Sequence, residues 1–536
     1  MSSLYQAAVN YSRKINGSLL LFLVLVLDVK MLVKIVAILV LLVLNRKLFR
    51  EKEIYRQPFT WFYWSMIGLA VFNLLLTIPS FSLDYAVAVG TGTGFWLLCI
   101  GAAFLNYWFV MHSDKETLDR TITLFFILNA IVSVAQLLLI MWNAGAINPY
   151  TYQGEFQKYF INTGDRIKGI TLDLSATNSF INAFGILYFM YAGKAGKALL
   201  CMAILFLTVS NYTNILLVAV LVLVFIFKSN RIQKSLIVIF VILMVIFMVK
   251  VSPQNGFYIK DAYTKVTGGK MKNRFLADNT NLREKPDSLL TPEERKKKFA
   301  MLYVDSMGME QLNKIASEEG ATYAVKPSLP KVNIHSAPYW RKKDTTELQR
   351  EMLRFIAEKL KNEDTSLTGI KARKLPGKLI AFEEILVYFR KHPLRLLTGT
   401  GTGNFSSKLA FRATGMHIAG GYPSRFARIN DDFLENHFRL YLDYFSKDIE
   451  LQSLVNSPNS VYAQVISEYG VIGMIAFIVF YLLFFAKRAG GKNYGWPMLL
   501  VLLGAMATDY WFEHLSIIIL FELLMLVLIK KKYAGN

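Results

Sequence analysis

The sequence has little charge and almost no cysteine. Only 18% of its 536 residues are charged, compared with about 25% in an average soluble protein, while 54% are hydrophobic. The two cysteines, Cys99 and Cys201, lie inside apolar runs, so the polar central part of the chain has no disulfide to stabilise it. Together these shortages exclude a disordered chain, a disulfide scaffold and an ordinary soluble enzyme.

Long apolar runs recur along the chain, and about 20 such residues suffice for a helix to cross a bilayer. Asp28, Lys30 and Lys34 interrupt the first run, so residues 17–45 form either two short spans or one long tilted helix. With two spans there, we predict twelve membrane-spanning helices: 17–28, 30–45, 59–79, 85–111, 120–143, 175–192, 196–210, 213–228, 234–251, 460–486, 495–509 and 514–530.

Lysine and arginine are concentrated in alternate loops between these runs. They cluster at 46–56, 228–234, 487–492 and 530–532, whereas the short loops on the opposite side hold few of them. Because basic loops stay in the cytoplasm, the pattern predicts that both termini are cytoplasmic. Basic loops and loops with few basic residues alternate along the whole chain only if residues 17–45 cross the membrane twice.

The apolar runs and the charge pattern predict an all-α polytopic membrane protein in three parts. Residues 1–251 hold transmembrane helices one to nine, and residues 456–536 hold helices ten to twelve. Between them, residues 252–455 form one large, mainly helical extracytoplasmic insert. Much of the net charge of +22 is then topological. Since no basic stripe alternates with exposed aromatic residues, we expect no nucleic-acid partner.

Acidic residues are missing altogether from 390–430, although this part of the insert holds seven Lys and Arg residues and six glycines. Cations without counter-ions need an anionic partner or ample water. Glycines let backbone N–H groups approach phosphate oxygens, and arginine offers a two-pronged donor to phosphate. The stretch predicts an external anion site near the membrane, and a basic face against anionic lipid headgroups is the alternative.

An acidic cluster follows directly, with Asp431, Asp432 and Glu435 beside His437. Such a group suits a general base or a divalent metal ion. If the segment is helical, Asp431, Glu435 and Arg439 share one face, and a salt-bridged helix surface is the alternative.

A third polar feature stands before the sixth predicted span. Arg166 and Lys168 precede Gly169, and the next helix carries polar residues from Ser175 to Asn182. Polar residues at bilayer depth usually face a cavity or another helix. Arg166 binds a lipid-linked phosphate on one interpretation and reaches lipid headgroups on the other.

These features, in this order, resemble the O-antigen polymerase and O-antigen ligase family of bacterial inner-membrane glycosyltransferases. The resemblance covers predicted spans five to ten and the end of the insert. Three motifs carry it: Arg166, Gly169 and Asn178; Pro393, Leu394, Gly399, Gly401, Gly403 and Phe405; and Asn459, Ser460, Glu468, Gly470 and Gly473.

Two departures from the family pattern affect the expected site. Asn459 stands where many members have a histidine that is taken as catalytic, and 210–214 lacks a basic residue that many members carry. The nearest replacements for the missing histidine are His437, Glu435 and Glu468. Because ligase-like members usually keep that histidine, we favour a polymerase over a ligase.

The resemblance implies an enzyme that uses a glycan on undecaprenyl diphosphate as donor, with no cofactor and no metal. The implied acceptor is a glycan, lipid A core or a protein, and membrane lipids and a chain-length regulator are further expected partners. We predict two sets of site residues. The catalytic set is His437, Glu435, Glu468 and Asn459, and the set binding the donor diphosphate is Arg166, Arg412, Arg425, Arg428, Gly401 and Gly403.

Two other classes of protein remain open from the sequence. A flippase or transporter for polyprenyl-linked glycans, with the insert as a gate, predicts charged residues deep inside the spans, where Glu522 is the main example. A scaffold for envelope assembly leaves the acid-free basic run unexplained.

Overall fold

A computed structural model describes residues 14–28, 30–76, 83–144, 147–150, 166–227, 229–252, 377–410, 433, 437, 457–491 and 493–533. Within these ranges the chain is helical and has no strand, which confirms the predicted all-α class for this part. All of these ranges belong to one compact unit. Most of the predicted insert, including Arg412, Arg425, Arg428 and Glu435, lies outside the described residues.

Thirteen longer helices make up the described fold, with short helical turns between some of them. Their bounds are α1 Gly17–Val26, α2 Met31–Leu44, α3 Pro58–Leu76, α4 Leu83–His112, α5 Lys115–Ala144, α6 Ser175–Tyr191, α7 Ala195–Thr208, α8 Asn211–Phe227, α9 Arg231–Ile246, α10 Gly377–Lys391, α11 Val461–Ala476, α12 Gly495–Met506 and α13 Ser516–Tyr533. A π-helical turn extends α9 to Val251, and another leads from α11 to a last helical segment that ends at Arg488.

A helix covers each of the apolar segments found in the sequence, and the first stretch divides into α1 and α2. Five helices are long and apolar enough to cross a membrane: Pro58–Leu76, Tyr85–His112, Lys115–Asn143, Arg231–Val251 and Val461–Arg488. The chain therefore has the composition and helix lengths of a membrane protein. The count of twelve spans, the external insert and the cytoplasmic termini stay predictions.

Two helices lie at the centre of the bundle. In α6 every residue from Ser175 to Met190 is buried, and in α13 the same holds from Ser516 to Ile529. Helix α13 packs against α4, α6 and α12. A helix that is buried all round belongs in the core, whereas outer helices such as α9 leave large apolar side chains uncovered, as lipid contact requires.

Helix ends meet in two separate groups. In one group, the Lys530 ammonium near the end of α13 donates to the carbonyls of Val110 (2.7 Å) and Ser113 (2.7 Å). In the other, the Ser460 hydroxyl before α11 donates to the carbonyl of Met506 in α12, and the Ser516 hydroxyl of α13 contacts the Leu27 carbonyl after α1. We call the second group the site end of the bundle.

The polar residues at the start of α6 face a neighbouring helix, one of the two environments expected for them. The Asn178 side chain accepts a hydrogen bond from Asn129 of α5 (2.9 Å) and donates to Ser133 (3.2 Å). It also donates to the Ile167 carbonyl (3.1 Å). Asn178 thereby anchors the short segment that contains Arg166 and Gly169 to the site end.

Candidate functional site

The glycine-rich motif forms a turn at the site end, which we call the glycine turn (399–407). The N–H groups of Thr400 and Gly401 donate to the carbonyls of Ser467 (2.9 Å) and Glu468 (3.1 Å) in α11. Gly399 has a φ of +79°, and a Cβ there would lie 2.3 Å from the Glu468 backbone. Only glycine fits this close approach in a left-handed conformation.

Glu468 stabilises the glycine turn by accepting hydrogen bonds from its backbone. Its side chain is fully buried, and its two carboxylate oxygens accept from the N–H of Gly403 (2.9 Å) and of Phe405 (3.3 Å). The Ser407 side chain is also bonded to it. The N–H groups of Gly401 and Gly403 therefore donate within the chain. The catalytic role of Glu468 and the phosphate contacts of the two glycines stay predictions.

Five ionisable side chains gather beside the turn, and we call them the ionisable cluster: Lys34, Asp173, Lys408, Asp509 and His514. His514 stands in the middle. Its Nε2 lies 2.7 Å from the Lys408 ammonium and 3.3 Å from Oδ2 of Asp509, and its Nδ1 lies 3.7 Å from Oδ2 of Asp173. If the imidazole is neutral, the two lysines balance the two aspartates, which keeps this largely buried group electrically neutral.

Both aspartates of the cluster are held by neighbours other than His514. Oδ1 of Asp509 accepts from the Tyr510 N–H (2.7 Å) and lies 3.5 Å from the Asn459 amide nitrogen. The carboxylate of Asp173 accepts from the Thr177 hydroxyl (3.0 Å). The two carboxylates are therefore oriented before any ligand arrives.

Lys34 fixes the backbone around His514. Its buried ammonium donates to the His514 carbonyl and to the Ser516 hydroxyl (2.8 Å). The residue between them, Leu515, has a φ of +64°, which is rare for a residue with a side chain. Lys34 thus supplies the donor that the irregular backbone between Trp511–His514 and α13 needs at this depth.

Backbone strain is concentrated at the site end. Among the described residues, the non-glycine positions with positive φ are Leu172 (52°), Val209 (52°) and Leu515 (64°). Leu172 precedes Asp173 and Leu515 follows His514, so two of the three adjoin the ionisable cluster. Strained conformations of this kind cost about 1–3 kcal/mol and cluster at functional sites.

Asn459 lies next to the cluster and is also the anchor of α10. Its carbonyl accepts a hydrogen bond from the Lys378 ammonium at the start of that helix. The same ammonium lies 3.4 Å from the Thr508 carbonyl. Burial lowers the pKa of Lys378 to about 8, while the charge of Asp509 acts in the opposite direction.

His437 packs against Phe405 of the glycine turn. It is fully buried, its Nδ1 lies 2.7 Å from Oε2 of Glu384, and its ring packs against Phe405 with centroids 4.4 Å apart. Arg166 is half-buried at the start of the segment that leads to Asp173. Among the predicted site residues inside the described ranges, Asn459 makes a side-chain contact with the ionisable cluster, through Asp509.

The predicted catalytic residues did not include His514, Asp173, Lys34 or Lys408. Lys34 and Asp509 were visible as charges inside or beside apolar stretches. Ionisable residues in such stretches mark functional sites by default. The sequence alone could therefore have indicated Lys34 and Asp509 as site residues. The contact of His514 with positions 173, 408 and 509 depends on the fold and has no local signature.

No protein-family model matches the sequence, and no curated protein matches it. In the part of the chain that the structure describes, no group of three His, Cys, Asp or Glu side chains is arranged to hold a metal ion.

Proposed function

We propose that the chain is a membrane glycosyltransferase that moves a glycan from undecaprenyl diphosphate to an acceptor hydroxyl, with polymerase preferred over ligase. One observation carries the proposal: flanks of all three sequence motifs converge on one histidine. Asp173 lies within the Arg166 motif, between Gly169 and Asn178. Lys408 follows the glycine turn, and Asp509 contacts Asn459 of the third motif. All three surround His514 at the site end.

The proposed reaction needs cations where the leaving group departs. Breaking the bond between the anomeric carbon and the diphosphate places negative charge on phosphate oxygens, and preorganised cations stabilise it. Arg166 stands at the site end, and Arg412, Arg425 and Arg428 follow Lys408 closely in the chain. Removing one such contact costs on the order of 3 kcal/mol of barrier in other enzymes.

The proposed setting is the bacterial inner membrane, with twelve spans, cytoplasmic termini and the site end facing outward. The sorting of helix ends into two groups supports this arrangement, because alternate ends of consecutive helices meet in each group. Uncovered apolar side chains on outer helices suit lipid and a polyprenyl tail.

The test uses purified protein in nanodiscs with a glycan on undecaprenyl diphosphate. Wild-type protein is expected to release undecaprenyl diphosphate and form a longer glycan. Arg166→Ala and Arg412→Ala should each lower the rate by roughly 100-fold, the equivalent of the ~3 kcal/mol above. Arg231→Ala, an exposed position at the start of α9, is the control. Full activity in both test variants would remove the diphosphate assignment.

A flippase or transporter for the same lipid-linked glycan is the second candidate, and one observation favours it. Glu522 lies buried in α13, where it accepts a hydrogen bond from the Tyr63 hydroxyl. Buried ionisable groups inside helix bundles are typical of transport paths. Relocation of lipid-linked glycan across vesicles without a new product, and its loss in Glu522→Gln, would favour transport over transfer.

A further inference from the structure

The last turns of α10 and the residues that join it to the glycine turn leave large apolar side chains uncovered. Leu394 keeps 83% of its surface exposed and Leu397 keeps 54%, and Leu386 is exposed as well. The aromatic side chains of the same stretch are buried against α11 and the glycine turn. We call residues 386–397 the leucine segment. It directs its aromatic residues into the protein and its leucines away from it.

The leucine segment ends at the edge of the bilayer expected around the bundle. Helix α3 has 19 residues, so it is about 28 Å long and matches the ~30 Å hydrocarbon core. Asn73, one turn before the end of α3, donates to the Thr398 carbonyl (2.7 Å). At the other end of α10, Lys378 donates to the Asn459 carbonyl, ahead of α11. Helix α10 therefore approaches the bilayer edge along its length.

Two helices beside the end of the leucine segment also present uncovered apolar side chains. A Cβ on Gly470 of α11 would lie 2.5 Å from the Leu397 carbonyl oxygen, which shows how closely the segment adjoins this helix. Ile475 of α11 and Leu75 of α3 are each more than half exposed. Both helices are long and apolar enough to cross a membrane. The exposed leucines therefore adjoin helices whose own uncovered side chains suit lipid.

The leucine segment carries positive charge without counter-charge. Arg390 and Lys391 are exposed and Arg395 is half-buried. Within the part of the chain that the structure describes, no acidic side chain forms an ion pair with any of the three, and Glu384 on the same helix is engaged by a histidine. The sequence contains no acidic residue between Glu384 and Asp431. Cations beside leucines at a bilayer edge complement anionic headgroups above hydrocarbon.

We propose that the leucine segment is an interfacial anchor that binds anionic phospholipid in the leaflet at the site end. Leu394 and Leu397 enter the edge of the hydrocarbon, and the three basic side chains contact headgroup phosphates. The anchor does not depend on the proposed glycosyl transfer. Because the segment leads directly into Gly399, bound lipid would also hold the start of the glycine turn against α11.

The experiment places a fluorophore on Leu394→Cys in the full-length protein, reconstituted into phosphatidylcholine vesicles. A part of the lipid is brominated, because bromine in an acyl chain quenches only a fluorophore that it touches. Bromolipid is expected to quench Leu394→Cys, and aqueous iodide is expected to reach it poorly. Glu383→Cys, exposed three turns earlier, is the matched control with the opposite pattern. Cys99 and Cys201 are buried, so labelled wild-type protein gives the background.

Headgroup preference is measured with the same variant. Brominated phosphatidylglycerol should quench Leu394→Cys about fivefold more effectively per molecule than brominated phosphatidylcholine, the preference that one basic residue near the surface supplies. Changing Arg390, Lys391 and Arg395 together to glutamine should make the two lipids equal while quenching by bromolipid persists.

Three results would overturn the anchor. Quenching of Leu394→Cys by iodide and not by bromolipid would place the segment in water. Protection from both quenchers would mean that protein covers the leucines. Equal quenching by the two lipids with the basic residues intact would remove the anionic partner. Leu397→Cys gives the same readout if Leu394→Cys does not reconstitute. Since the vesicles hold no polyprenyl lipid and no glycan, each result is independent of whether the chain transfers a glycan.

Discussion

Gly399 and Gly470 meet backbone to backbone where α11 is kinked. A Cβ on Gly470 would lie 2.6 Å from the Gly399 nitrogen and 2.5 Å from the Leu397 carbonyl oxygen. Gly470 has a φ of +66° inside the helix, so both glycines combine a left-handed conformation with a contact that leaves no room for a side chain. The glycine turn therefore packs against α11 at the kink of that helix.

Gly399→Ala is expected to destabilise the protein. A φ of +79° with a ψ of −175° is a conformation almost restricted to glycine and costs another residue about 1–3 kcal/mol. The clash with the Glu468 backbone adds to this cost. Gly196→Ala is the matched control, because nothing lies within 4 Å of a Cβ there and its φ is ordinary for a helix. Thermal unfolding in detergent measures both variants. Equal melting temperatures of the Gly399→Ala and Gly196→Ala variants would contradict close packing of the glycine turn against α11.

Glu468→Gln is expected to lower stability by about 1–3 kcal/mol. The buried carboxylate accepts from two backbone N–H groups, and an amide NH2 in place of one oxygen would face a donor with a donor. Glu383→Gln, at an exposed position of α10, is the control. The measurement is thermal unfolding at neutral pH. A Glu468→Gln variant as stable as the wild type, with reduced transfer only, would instead support the catalytic role predicted for Glu468.

Lys378 predicts a pH dependence of stability. Burial lowers its pKa to about 8 in the folded protein from 10.5, so above pH 8 the folded chain releases a proton that the unfolded chain retains. Stability contributed by this group therefore rises with pH between about 8 and 10.5. Lys378→Met should remove this rise, whereas Lys391→Met, exposed on the same helix, should keep it. Identical pH profiles of melting temperature for the wild type and Lys378→Met would contradict the prediction.

The helices could be predicted because apolar runs of sufficient length leave the backbone few other ways to bond within a bilayer. The division of the first run was also indicated, since Asp28 and Lys30 stand where α1 and α2 separate. Positive charge in alternate loops predicted the side of the membrane on which each loop lies. None of these signals depends on which helices are neighbours.

The contacts of the site could not be predicted, because they join distant parts of the chain. Glu468 was assigned a catalytic role from its place in a motif, yet its carboxylate bonds to Gly403 and Phe405, which local spacing does not reveal. Lys34 was interpreted as an interruption of an apolar stretch. Its ammonium turns inward to the His514 carbonyl because the irregular backbone there needs a donor.

The central place of α13 has a consequence for biosynthesis. This helix leaves the ribosome after the helices that pack around it, and it brings His514 with it. Lys34 and the His514 carbonyl are 480 residues apart in the chain. Most of the chain is therefore synthesised after α2 and before the residue to which Lys34 of α2 donates. Most of the helices of a nascent chain are therefore synthesised before the ionisable cluster can be completed.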